Sequence, residues 1–184
     1  QNINLNNNEF ENSPNIPQFY RDKLVEALQY KDPNYYIGVS CSCCFPDHSK
    51  KMRELSGQDD EHMTFANIFV NSNYLKYKQT FLEEFKKYKI HLVANENSNI
   101  ENLPFDVEKF YPVGFSAWVN NYHLIEEIKN ANESDKLFLF SCGPFGNILT
   151  HQLFDHNKEN TYLDVGSTLN PWTQSEGFKR DYYT

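Results

Sequence analysis

The stretch that most limits how this chain can fold is residues 136–172, KLFLFSCGPFGNILTHQLFDHNKENTYLDVGSTLNPW. It opens on a short apolar run at 137–140, the length of a buried strand. The run stops at Ser141-Cys142-Gly143-Pro144. Pro144 has no N–H to lose and a φ already near the helical value, so it suits the first turn of a helix. Phe145, Ile148, Leu149, Leu153 and Phe154 then recur at helical spacing. A second apolar run at 162–165 ends at Gly166. Strand, turn, helix and strand over this length predict a parallel βαβ unit with a right-handed crossover.

Such a unit sets two groups at one edge of its sheet, the edge where open α/β sheets bind ligands. One is the helix N-terminus after Gly143, whose unpaired N–H groups and dipole favour phosphate. Gly143 has no Cβ, so its backbone can approach a ligand closely. The other is the carboxylate of Asp164 at the end of the second strand. On spacing alone, an ordinary strand-to-helix turn with Asp164 as a cap or turn residue fits equally well.

The rest of the chain extends the pattern. Residues 1–17 are Asn-rich, lack periodicity and read as an irregular arm. A helix is expected over 19–30, with Phe19, Leu24, Val25 and Leu28 on one face, and a strand over 35–39. Asp47 or Ser49 is expected to cap a short helix closed by Gly57. The run at 64–70 is apolar enough for a strand and precedes the turn signal Asn71-Ser72-Asn73, with Ser72 or Asn73 expected as a helix cap. The clearest amphipathic pattern spans 74–88, with Tyr74, Tyr77, Phe81, Phe85 and Tyr88 in register. Strands follow at 90–94 and 107–113, and Ser116 is expected to cap a helix over 117–130. Strands alternating with helices predict a three-layer α/β fold, a mostly parallel Rossmann-like sheet with helices on both faces. Parallel strands would gather Ser40 to Cys44, Asn95-Glu96, Gly114, Ser141-Cys142 and Asp164 to Ser167 at one rim.

Length favours a single domain over 1–184, since a chain of 184 residues buries about 70% of its unfolded surface in one core. The chain begins at Gln1 rather than Met, so a piece of a longer protein is expected. A net charge of -8 argues against a phosphate-backbone footprint for nucleic acid, while a nucleotide needs only a local cradle. No apolar run approaches the roughly 20 residues that span a bilayer, and a transmembrane segment is not expected. Cys41, Cys43 and Cys44 crowd one turn and Cys142 stands apart, a poor disulfide framework. Reduced, metal-free thiols and a cytoplasmic location are therefore expected. The zinc alternative needs four soft ligands, and the spacing lacks a second Cys-x-x-Cys. A Cys–His nucleophile pair with His48 has no support in its flanks.

The segments SCGPFGNILTHQLF and TYLDVGSTLNPW, at 141–154 and 161–172, resemble the C-terminal part of the GT-D-type glycosyltransferases. Those enzymes carry a strand, a Gly-Pro turn and helix, then a strand ending in Asp-hydrophobic-Gly. Here the counterparts are Gly143-Pro144 and Asp164-Val165-Gly166-Ser167. The resemblance implies sugar transfer from a nucleotide-sugar donor to a glycan or other acceptor. It implies donor contacts from Ser141, Asn147, Asp164 and Ser167, with Asp164 the essential carboxylate, and a Mn²⁺ or Mg²⁺ accompanying the donor. Arg180, after Gly177 in the tail, is a candidate clamp on the diphosphate, since a guanidinium can bind it bidentately. The family's N-terminal Asp-x-Glu usually stands within Gly-Asp-Gly-Glu after a strand, and no Gly-Asp-Gly-Glu occurs in this sequence; either it lies upstream of Gln1 or this protein does without it. A non-catalytic nucleotide- or sugar-binding domain of the same shape is the alternative.

Overall fold

The structure, a computed structural model, describes residues 17–174, and every strand pairing in it is parallel. The arm before Pro17 and the tail that carries Arg180 lie outside the described residues. Length alone favours one domain; the described residues form two compact units, 17–68 and 69–174.

The first unit contains helix α1 (Gln18–Gln29), strand β1 (Ile37–Val39), helix α2 (Pro46–Ser56) and strand β2 (Met63–Phe65). In α1, Leu24, Ala27 and Leu28 are buried, whereas Phe19, expected on the same face, is exposed. Helix α2 starts at Pro46 with no side-chain cap, so neither Asp47 nor Ser49 caps it. It ends as expected at Gly57, whose φ of 58° is the left-handed C-cap that glycine adopts without strain. Strand β1 was expected in the central sheet. It pairs instead with β2, in a two-stranded sheet of its own with Ile37 opposite Met63 and Val39 opposite Phe65.

The second unit holds the larger sheet. Its helices and strands are α3 (Tyr74–Phe85), β3 (Ile90–Asn95), β4 (Val107–Val113), α4 (Ala117–Asn120), α5 (Leu124–Ala131), β5 (Leu137–Ser141), α6 (Pro144–His156), β6 (Thr161–Asp164) and α7 (Asn170–Thr173). The strand order is β4-β3-β5-β6. Side chains alternate across a strand, so each strand feeds both faces. On one face Ile90, Leu92, Ala94, Leu137 and Leu139 pack with Tyr74, Tyr77, Leu82 and Phe85 of α3 and with Val165 and Leu169. The other face presents Val93, Phe138 and Phe140, and α6 supplies buried Phe145, Ile148, Leu149 and Leu153. Each such side chain contributes about 1.5–3 kcal/mol on burial. This is the expected three-layer α/β arrangement.

Two local expectations fail here for physical reasons. The helix expected over 117–130 is split into α4 and α5. At the break, Asn121 turns its Oδ1 back to accept the Gly114 N–H at 3.2 Å, and Asn120 Nδ2 donates to the Phe115 carbonyl at 2.8 Å. Asparagine side chains that satisfy nearby backbone groups compete with helix continuation. Ser116 stands at φ 51° and gives no side-chain cap. Nor does Asn73 cap α3 through its side chain; Asn71, at φ 55°, makes the turn ahead of it.

Candidate functional site

Parallel registry decides which loops meet. Asn95 lies opposite Val113 on one side of β3, and Ala94 lies opposite Ser141 on the other. Phe140 lies opposite Asp164. The C-terminal ends of β4, β3, β5 and β6 therefore share one edge, and with them Gly114, Asn95-Glu96, Ser141-Cys142-Gly143 and Asp164 to Ser167. From β3 the chain moves first to β4 on one side and then returns to β5 on the other. The gap between the ends of β3 and β5 is thus the topological switch point, where open α/β sheets bind ligands. Ser40 to Cys44 follow β1 in the first unit and belong to the other sheet.

Within this edge the closest assembly is built around Asp164. Its Oδ1 accepts the Gly166 N–H at 2.9 Å, closing a tight turn in which Gly166 has φ 54°. The Ser141 hydroxyl donates to the Gly166 carbonyl at 2.6 Å, so Ser141 braces the end of β5 against the turn after β6. Gly143 links β5 to α6 at φ 64°, a conformation that favours glycine over any side chain. Gly146, in the first turn of α6, leaves the space that the Asp164 carboxyl fills. A Cβ there would stand 2.9 Å from Asp164 Oδ2 and 3.2 Å from Phe140 Cβ. Sequence reading passed over Gly146, although a glycine inside a helix costs about 1 kcal/mol relative to alanine and so signals a packing need.

The half-buried carboxyl of Asp164 sits against the helix, and desolvation raises its pKa above the ordinary carboxylate value, opposed by the Gly166 hydrogen bond. Cys142 is its neighbour. Burial, and then the Asp164 charge, push that thiol well above its usual pKa, which leaves it a poor nucleophile. The helix end is poorer in donors than a Gly-Pro turn suggests. Pro144 has none, and the Gly146 N–H already donates to the Gly143 carbonyl at 3.0 Å. Asn147 lies half-buried in α6 at this end, and its side chain makes no hydrogen bond with the described residues. Ser167 is half-buried just beyond the turn. The structure thus brings Ser141, Gly143 and Asp164 together, with Asn147 and Ser167 on the adjoining segments.

A divalent cation held here by protein alone does not fit the described residues. Asp164 commits one oxygen to Gly166, and the groupings of three ligating side chains lie elsewhere, at Cys41, Cys43 and Cys44 and at His91, Glu108 and Glu133.

The cysteines correct the sequence reading. Cys41 and Cys43 form a disulfide, where reduced thiols were expected. The reason is local. The turn after β1 folds back so that the Phe45 N–H reaches the Cys41 carbonyl at 2.9 Å, which sets the two Cα atoms 5.5 Å apart, within the normal span of a disulfide. Cys44 remains a free, exposed thiol 3.6 Å from the Cys43 sulfur. The His48 ring stacks on Phe45. Among the described residues, no helix is long and apolar enough to cross a membrane.

No protein-family model, no curated protein and no solved structure matches the chain.

Proposed function

We propose that the C-terminal edge of the four-stranded sheet takes a nucleotide-sugar donor and that the chain serves glycosyl transfer to a glycan or other hydroxyl acceptor. The observation that carries this reading is the convergence of Ser141, Gly143 and Asp164 at the ends of adjacent parallel strands beside the first turn of α6. The GT-D-like order of these residues in the sequence supports it. In the reaction, the acceptor oxygen attacks the anomeric carbon of the sugar as the bond to the diphosphate breaks. A carboxylate of raised pKa is the stronger base, so Asp164 suits accepting the acceptor proton or holding a sugar hydroxyl. It repels phosphate, so the diphosphate lies away from its oxygens and draws on the α6 end and the loops after β3 and β5.

A second reading follows from the hydrogen bonds of Asp164. A carboxyl that accepts from Gly166 and fills the space above Gly146 already has a structural role, which suits a nucleotide- or sugar-binding module without catalysis.

Titration of the full chain with a panel of nucleoside diphosphates and their sugar conjugates, read by thermal shift and calorimetry, tests the proposal. The expected result is stabilisation by at least one conjugate, reduced in Asp164→Asn by a similar amount with and without Mn²⁺. Donor binding with no sugar transfer or donor hydrolysis selects the binding module. The absence of stabilisation by any diphosphate or conjugate at millimolar concentration refutes both readings.

A further inference from the structure

At the opposite end of the same sheet, near the starts of β3, β4 and β5, lies a charged cluster that the nucleotide-sugar reading does not use. His91 is the second residue of β3. Its side chain is 1% exposed, and both ring nitrogens are buried without a hydrogen-bond partner. Such orphaned polar atoms are costly in a protein interior. The Nε2 atom faces two carboxylates, Glu133 Oε2 at 3.5 Å and Glu108 Oε1 at 3.7 Å. Both distances are too long for a hydrogen bond.

Two lysines neutralise the glutamates. Lys136 Nζ is in contact with Glu108 Oε1 and stands 3.6 Å from Glu133 Oε2. Lys109 Nζ lies 3.4 Å from Glu133 Oε1. The ammonium of Lys136 therefore occupies the place of a cation between the two carboxylates. It serves the carboxylates, while both ring nitrogens of His91 remain without a hydrogen-bond partner. A metal ion serves all three at once.

The spacing suits one. With bonds of about 2.0–2.2 Å to nitrogen and oxygen, ligand atoms on a tetrahedral ion are separated by about 3.3–3.6 Å. The two separations from His91 are within about 0.2 Å of that span, and all three ligating atoms lie within 4.8 Å of one another. An imidazole with two carboxylates is a donor set for zinc and its neighbours in the first transition row rather than for calcium or magnesium, which prefer all-oxygen shells.

We propose that His91 Nε2, Glu108 and Glu133 form a binding site for one divalent transition-metal ion of the zinc class, which displaces the ammonium of Lys136. The ion would tie β3, β4 and the segment between α5 and β5 together at the sheet edge remote from Asp164. It is a structural ion in that position, independent of the nucleotide-sugar site.

Cobalt and zinc, added to the full chain with its Cys41–Cys43 disulfide intact, test the proposal. The expected result is uptake of one Co²⁺ per chain with visible d–d absorption of a nitrogen and oxygen site. Lys136→Met, which removes the competing cation, is expected to tighten uptake, and Glu133→Gln to abolish it in the Lys136→Met background. Nitrogen-15 spectra of the wild type with Zn²⁺ provide a readout that needs no variant. The Nε2 resonance of His91 is expected to move to the metal-bound range while those of the other histidines stay in place. Failure of both the wild type and Lys136→Met to take up metal overturns the proposal. A sulfur-to-cobalt charge-transfer band also overturns it, by placing the ion on Cys44 and its neighbours, as does uptake that survives Glu133→Gln.

Discussion

Gly146→Ala puts the packing of the Asp164 assembly to a quantitative test. Two terms oppose each other. Alanine is the better helix former by about 1 kcal/mol. Its Cβ, however, would stand 2.9 Å from Asp164 Oδ2, 3.0 Å from Asp164 Cγ and 3.2 Å from Phe140 Cβ. Asp164 cannot simply swing aside, because its other oxygen accepts from Gly166. Phe140 Cβ belongs to a fully buried side chain on β5. Forcing a methyl into such a site costs about 1–3 kcal/mol. The net expectation is a loss of about 0–2 kcal/mol. In an Asp164→Ala background the two shortest contacts disappear, leaving the Phe140 contact, which a shift of a few tenths of an ångström relieves. There Gly146→Ala should be neutral or stabilising by up to about 1 kcal/mol. Urea unfolding of the four proteins of this cycle at neutral pH gives the coupling directly, expected at about 1–2 kcal/mol. If Gly146→Ala has the same effect in both backgrounds, to within about 0.3–0.5 kcal/mol, the carboxyl does not occupy the space above Gly146 and the assembly described here is wrong.

Asp164→Asn should flatten part of the pH dependence of stability. The native state holds the Asp164 proton more tightly than the unfolded chain, so this group's contribution is greatest below 3.8 and is lost as pH rises through the raised native value. Melting curves should show the variant gaining on the wild type as pH rises above the ordinary carboxylate value, and parallel curves would contradict the burial of the carboxyl. Ser141→Ala should cost about 0.5–1.5 kcal/mol in urea unfolding, since it removes the donor to the Gly166 carbonyl; no change would mean that this hydrogen bond is not made. Alkylation without reductant should modify Cys44 quickly and Cys142 slowly, and reductant should expose Cys41 and Cys43. Rapid labelling of all four cysteines without reductant would show that the disulfide is not formed. Tyr77→Phe should destabilise by about 1–3 kcal/mol, because it leaves the buried Thr168 hydroxyl, which donates to Tyr77 at 2.9 Å, without its acceptor; an unchanged melting temperature would refute that pairing.

What the chain declares by itself is what short-range pattern can encode. The apolar runs at 90–94, 137–140 and 162–165 mark β3, β5 and β6 because a buried strand needs both faces apolar. The spacing of Tyr74, Tyr77 and Phe85 marks α3, and Gly143-Pro144 marks the start of α6, because helix periodicity and turn stereochemistry are properties of a few consecutive residues. Alternation of these elements is enough to require parallel pairing, and so to predict that Ser141 and Asp164 end on one edge. Tertiary structure decided the rest. Which strand β1 joins depends on partners distant in the chain, and it joined β2. Asn121 broke a helix that its own neighbourhood favours, because a strand-end N–H at Gly114 came within reach. Gly146 reads as a weak point in a helix until the Asp164 carboxyl is set above it. His91 reads as one polar residue in an apolar strand until Glu108 and Glu133, from separate segments, close around it. Local sequence sets periodicity and turns, whereas the meeting of side chains from separate elements exists only once the packed sheet brings them together.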